Sequence, residues 1–268
     1  MRPTARLAHA ALLATLLAPV LLAGCSPRTD APTGGSPGSG TGGGVTNDKG
    51  STISFYHLLM TSNAPTSTVA FKANGAIFGA GTTYLGSALD NSVAWASSTP
   101  LVPFEVTDGG TTRFLAVGRL LTNGYGHSAI AIGVIGSTDP NLQPTLVVAV
   151  KDSVNPGAGN ARVRWLHNWP GVAAVDIWSG NPGFEVRVVQ NLAYGQITAY
   201  SDITAATSIT SLHVVVTPAG VARGVADLTN ISAITQITTG NTYLVPLIHT
   251  SSNFASPGSR SLAIYQER

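Results

Sequence analysis

Cysteine is almost missing. Cys25 is the only one in 268 residues, which excludes an internal disulfide framework. Charge is scarce too: Asp, Glu, Lys and Arg make up 10% of the chain, against roughly 25% in ordinary soluble domains. Ser, Thr, Asn and Gly must therefore cover the surface. No Lys/Arg cluster occurs, so the electrostatic footprint of a nucleic-acid binder is lacking. No H-x-H, H-E-x-x-H or D-x-D-x-D-G pattern occurs, and neither a metal site nor a cofactor is expected. No stretch after Cys25 reads as a capped amphipathic helix. A phosphate-cradling glycine loop, which needs a helix behind it, is excluded on the same ground.

What is present begins at the N-terminus. Arg2 and Arg6 precede an apolar run from Leu7 to Leu22, broken by His9, Thr15 and Pro19. Basic start, short apolar run and small residues before a cut form a secretory signal peptide over residues 1–24. A membrane-spanning helix needs about 20 unbroken apolar residues. The run ends in Leu22-Ala23-Gly24-Cys25, which resembles the lipobox of bacterial lipoproteins. That resemblance implies lipidation of the Cys25 thiol, cleavage before it, and a membrane held as partner through the attached lipid. It implies an extracytoplasmic location in the cell envelope or at the surface. Arg2 and Arg6 leave with the leader, so the mature chain has as many basic as acidic residues.

Residues 25–50 hold the lipidated cysteine and a Gly/Ser/Pro/Thr tether that can bury no core. Gly34-Gly35-Ser36-Pro37-Gly38 matches the G-x-S-x-G nucleophile pattern, but that pattern needs a strand-to-helix elbow around it.

After the tether the chain repeats itself. Ile53-Ser54-Phe55-Tyr56-His57 lines up with Val163-Arg164-Trp165-Leu166-His167, and Val69-Ala70-Phe71 with Val175-Asp176-Ile177. From histidine to glycine the spacing is 29 residues in the first copy (Gly86) and 28 in the second (Gly195). Both copies close on strand-like runs, at 145–152 and 260–267. The spacing predicts a first module over 51–152, a hinge over 153–159 and a second module over 160–268. Apolar residues alternate with period two in segments bounded by Gly, Pro, Asn and Asp. Seven or eight strands per copy predict an all-β chain of two tandem Ig-like antiparallel β-sandwiches.

The stretch Ala161–Trp178, "ARVRWLHNWPGVAAVDIW", resembles the opening of the bacterial domain-of-unknown-function 4397 family. Ala161, Arg162, Val163, Arg164, His167, Pro170, Val175 and Asp176 stand at the family's positions, and Tyr194-Gly195 match its later aromatic-glycine step. Asn168, Trp169 and Gly171 depart from the pattern. The first copy keeps His57, and Ser62-Asn63-Ala64-Pro65 echoes the family turn. The resemblance implies tandem β-sandwiches on secreted or anchored bacterial proteins. It implies no activity.

Candidate site residues are few. His57 and His167 suit a turn, since neutral imidazole offers one donor and one acceptor. As ligands they would work with Trp165 and Trp169 as a stacking platform. Trp165 alternates with Val163 and His167 and is expected in the core. Trp169, beside Pro170-Gly171, is expected either exposed as a contact for glycan or protein, or folded over the sandwich end. Trp169, His167 and Trp178 are the candidate ligand contacts. Asp176, Glu185 and Asp202 are not paired by spacing as glycoside hydrolysis would require, and Asp176 is expected as an outward or turn-bonding carboxylate. His127, His213 and His249 stand singly among strands. No catalytic residue is assigned. The reading is a non-enzymatic envelope lipoprotein acting by contact, adhesion or structure; the alternative is an envelope hydrolase or carbohydrate-active enzyme.

Overall fold

The computed structural model describes residues 49–61, 68–95, 101–108, 113–204, 212–234, 236–250 and 257–267. Residues 1–48, on which the signal-peptide, Cys25 and tether expectations fall, lie outside the described residues, as do residues 62–65, where a family-like turn is expected. Among the described residues the chain is all-β, with one 3-10 turn at Pro257–Ser259.

The first half supplies eight strands: β1 (Lys49–Thr61), β2 (Val69–Ala73), β3 (Ala76–Thr82), β4 (Ser87–Trp95), β5 (Leu101–Thr107), β6 (Arg113–Leu120), β7 (Gly126–Ile135) and β8 (Thr145–Val150). They form two sheets, ordered β4-β1-β7-β8 and β3-β2-β5-β6. The second half supplies nine: β9 (Asn160–His167), β10 (Ala174–Gly180), β11 (Val186–Ala193), β12 (Ser201–Thr204), β13 (Leu212–Pro218), β14 (Thr229–Ile234), β15 (Thr242–His249), β16 (Arg260–Leu262) and β17 (Tyr265–Gln266). Its sheets run β12-β9-β15-β16, with β17 also on β15, and β11-β10-β13-β14. Adding eight to each label of the first half reproduces the order in the second.

The pairing is antiparallel with one exception in each half. β1 lies parallel to β7, and β9 parallel to β15. This corrects the expectation of wholly antiparallel sheets. The first and last long strands of each half run the same way and meet in mid-sheet, a pairing that hydrophobic period alone does not encode. β1 also runs four residues past His57, which lies within the strand and not in the turn expected of it.

Each half has a core between its sheets. Phe55 on β1 packs against Phe71 on β2 (4.9 Å between ring centroids) and Phe104 on β5 (6.2 Å). Trp165, Val175, Ile177, Val214, Val216 and Val245 fill the second core. A third apolar layer lies between the halves: Tyr56, Leu58, Ile130 and Ile132 meet Leu166, Leu244 and Ile248. This seam joins the outward faces of the β1–β7 and β9–β15 pairs. It explains why β15 is buried at every position and β7 at all but its two ends. Strands covered on both faces carry continuous apolar runs instead of alternating ones.

Hydrogen bonds across the seam fix its direction. Asn168 Nδ2 donates to the Leu58 carbonyl (3.1 Å) and Tyr84 Oη to the His249 carbonyl (2.8 Å). The ends of β1 and β9 thus lie together, and their starts share the opposite end. The tether joins β1 at that opposite end, here termed the tether end; the other is the free end.

A polar knot crosses the seam nearby. The Glu267 carboxylate accepts from Ser128 Oγ, Arg164 Nη2 and Tyr200 Oη. The Arg164 and Glu267 side chains are 2% and 1% exposed. The repeat assigns an equivalent in the first half. The Lys151 N–H donates to the Gly126 carbonyl (2.7 Å) as the Glu267 N–H does to that of Thr242 (2.8 Å). Lys151 Nζ reaches Ser54 Oγ (2.7 Å) and Asp90 (2.8 Å), and Ser54 is the repeat partner of Arg164. One position carries an ammonium in the first half and a carboxylate in the second.

Candidate functional site

The two histidines singled out by the repeat are built alike. His57 Nδ1 accepts the Leu59 N–H and His167 Nδ1 the Trp169 N–H, both at 3.2 Å. Each ring meets a tyrosine edge-on, Tyr84 at 6.1 Å and Tyr194 at 5.8 Å. Both histidines are fully buried. Burial, followed by the nearby His249 ring, pulls His167 down to about 4. Burial and then Arg260 do the same to His249, also to about 4. Buried and held at backbone N–H groups, His57 and His167 brace the free end and present no surface for contact there.

Trp169 corrects the reading that exposed it. It is fully buried, and the other expectation, a tryptophan folded over the sandwich end, describes it. The chain reverses at Pro170-Gly171, with Gly171 at φ 78° and the Val172 N–H donating to the Trp169 carbonyl (3.3 Å). Pro ahead of a positive-φ Gly is the chemistry of a tight turn. The turn folds the indole inward, and its N–H donates to the Ile248 carbonyl (2.7 Å). Trp178 is half-buried, donates to Thr217 Oγ1 (3.2 Å) and lies under the Arg187 guanidinium (5.5 Å). Its ring face is thus already occupied. Trp165 is core, as expected.

Asp176 is a turn-bonding carboxylate, and it is fully buried instead of outward. It accepts from the Asn191 N–H (2.7 Å), the Gly220 N–H (3.1 Å) and Arg187 (3.2 Å). Glu185 does not meet it. Glu185 accepts from His213 Nδ1, Arg223 and the Gly183 N–H, while the other nitrogen of His213 is engaged by Asn230. Burial opposes the Glu185 charge, but the bonds from His213 and Gly183 and the Arg223 charge outweigh it and hold the carboxyl down to about 2. Spacing hid this cluster, because its members come from a hairpin, a strand and a distant loop. With both ring nitrogens engaged, His213 has no free face for proton transfer. The cluster pins the 219–228 loop to the sheet.

The Ser54–Lys151 pair resembles a nucleophile with its base. Ser54 is fully buried and also hydrogen-bonds Asp90 in both directions (3.1 Å each). Asp90 sits at φ 50° beside a bulge in the β1–β4 pairing, and the trio braces that bulge. Among the described residues, no group of three metal-ligating side chains gathers.

What the free end offers is a cleft. About 450 Å³ lies between Asp139, Asn141 and Leu142 of the first half and Gly171, Val172, Ala193 and Tyr194 of the second. Its lining is mixed, with one carboxylate, one carboxamide and several short apolar side chains. Asp139 Oδ1 is engaged by the Asn141 backbone N–H (2.9 Å) and side chain (3.2 Å). Tyr194 links the cleft to the seam through Asn168 (3.4 Å). Loops from both halves build it, so it exists only while the seam holds.

The chain matches no family model and no curated protein.

Proposed function

We propose that this chain is an extracytoplasmic lipoprotein, held to a membrane through lipid on Cys25, that works by contact. The double sandwich is its presenting body, and the cleft at the free end is where a glycan or protein partner is held. The observation that carries this reading is the cleft itself, built by both halves at the end opposite the start of β1. A mixed concave surface assembled by loops on a rigid scaffold is the usual form of a binding site. The titratable side chains in the interior are consumed in bracing turns, bulges and loops, which suits a holder better than a hydrolase.

Ala193→Trp fills the cleft without touching either core. On a glycan array and in binding to cells, this variant of the lipidated chain is expected to lose at least tenfold in affinity, the equivalent of about 1.4 kcal/mol. Trp178→Ala, remote from the cleft, is expected to bind as the parent does. Equal binding by the parent and Ala193→Trp contradicts the assignment. Cys25→Ser is expected to move the protein from the membrane fraction to the soluble one.

A further inference from the structure

The distribution of exposed apolar residues is lopsided. Among the described residues, nine large hydrophobic side chains are exposed. In the first half these include Ile77, Leu101 and Leu120, at 60%, 63% and 70% exposure. Ile77 follows the Asn74-Gly75 turn, and Asn74 Nδ2 reaches the Ala94 carbonyl beside Gly50. Leu101 and Leu120 face each other in register. Two residues past Leu120, the Thr122 carbonyl accepts from Ser51 Oγ (2.7 Å). All three therefore lie at the tether end. Val150 closes β8 and Val154 lies in the 153–159 connection, at the same end.

The second half repeats the pattern. Phe184, 81% exposed, tips the β10–β11 hairpin, and Val186 (64%) follows it. β10 starts beside the end of β9 and runs away from it, so this tip points to the tether end. Val225 (75%) lies elsewhere, in the loop that leaves β13 beside Ala174 and re-enters β14 beside Val216. The other exception is Leu89, near the start of the edge strand β4.

We propose that the tether end is a membrane-docking surface, whose exposed apolar side chains insert into the interface of the bilayer that holds the lipid anchor. The proposal rests on the anchored reading above. The occupant follows from where the chain enters. Residues 26–48 separate Cys25 from the start of β1, so even at full extension a lipid on Cys25 keeps that end of the body within about 80 Å of the bilayer. A body so tethered meets the bilayer at high effective concentration. Isolated apolar side chains on a soluble surface are ordinary; seven gathered at the end where the anchored chain enters are a contact surface. Docking there also turns the cleft outward.

The test uses the mature lipidated chain in vesicles of phosphatidylethanolamine and phosphatidylglycerol. Phe184→Cys and, at the free end, Thr138→Cys are each labelled with an environment-sensitive fluorophore; both sites are exposed. Vesicle flotation reports the anchor separately. The expected result is flotation of both chains, with a blue shift and intensity rise at position 184 alone. Adding Val186→Ser is expected to reduce that shift while flotation persists. Flotation with no shift at 184 overturns docking and leaves the anchor standing. Failure to float overturns the anchor and docking with it. A shift at 184 that appears without vesicles and grows with protein concentration assigns the surface to a second copy of the chain, and also overturns the proposal.

Discussion

Replacing Glu267 with alanine is expected to cost about 3–5 kcal/mol of stability. Its carboxylate is buried in the seam, where it accepts from Ser128 in the first half and from Arg164 and Tyr200 in the second. Without the carboxylate, the Arg164 guanidinium stays in the seam without its ion-pair partner. An unpaired buried charge is costly, whereas an apolar replacement of both partners can be neutral. Arg164→Met combined with Glu267→Met is therefore expected to recover much of the loss. The urea midpoint at unchanged denaturant slope measures both. A loss under about 1 kcal/mol for Glu267→Ala, the range of surface pairs, contradicts the buried knot.

Acid is the second large lever. His167 and His249 each titrate from 6.5 down to about 4, chiefly through burial. The unfolded chain therefore takes up protons before the folded one does. The stability each neutral ring contributes is complete above pH 6.5 and is lost as pH falls toward 4, on the order of 3 kcal/mol per ring at the limit. His127, lowered by burial, acts in the same direction. Glu185 weakens only below its ordinary value of 4.5, so the histidines govern the window from 6.5 to 4.5. His167→Asn keeps an acceptor for the Trp169 N–H and removes the titrating ring. Its urea midpoint is expected to fall less between pH 7 and pH 5 than that of the parent. Identical pH profiles contradict the role given to His167.

The local pattern was legible where apolar residues alternate with polar ones. Alternation at Val163, Trp165 and His167, with turn residues at either side, marks β9 and its inward face. The matched runs around His57 and His167 mark two strands that prove to be equivalent in order, register and hydrogen bonding. The parallel pairing of β1 with β7 was not legible, because period two says which residues face inward and not which strand lies alongside. The seam was hidden for the same reason. The uninterrupted burial of β7 and β15 is a signature of strands covered on both faces, but a short apolar run does not reveal its neighbour. Trp169 shows the limit of reading a turn: Pro170-Gly171 correctly marks a reversal, yet the direction of the indole depends on the Ile248 carbonyl, 79 residues away. The cleft and the Glu267 knot join residues from opposite halves, and no local rule connects them.

Both functional proposals require the halves to act as one body, with the free end presenting the cleft while the tether end rests on lipid. Scanning calorimetry of the full-length Cys25→Ser chain tests that most directly. A seam with its own apolar layer and buried ion pair predicts one cooperative transition, with equal calorimetric and van't Hoff enthalpies. Two resolved transitions, one for each sandwich, would show that the halves melt independently and contradict the shared body.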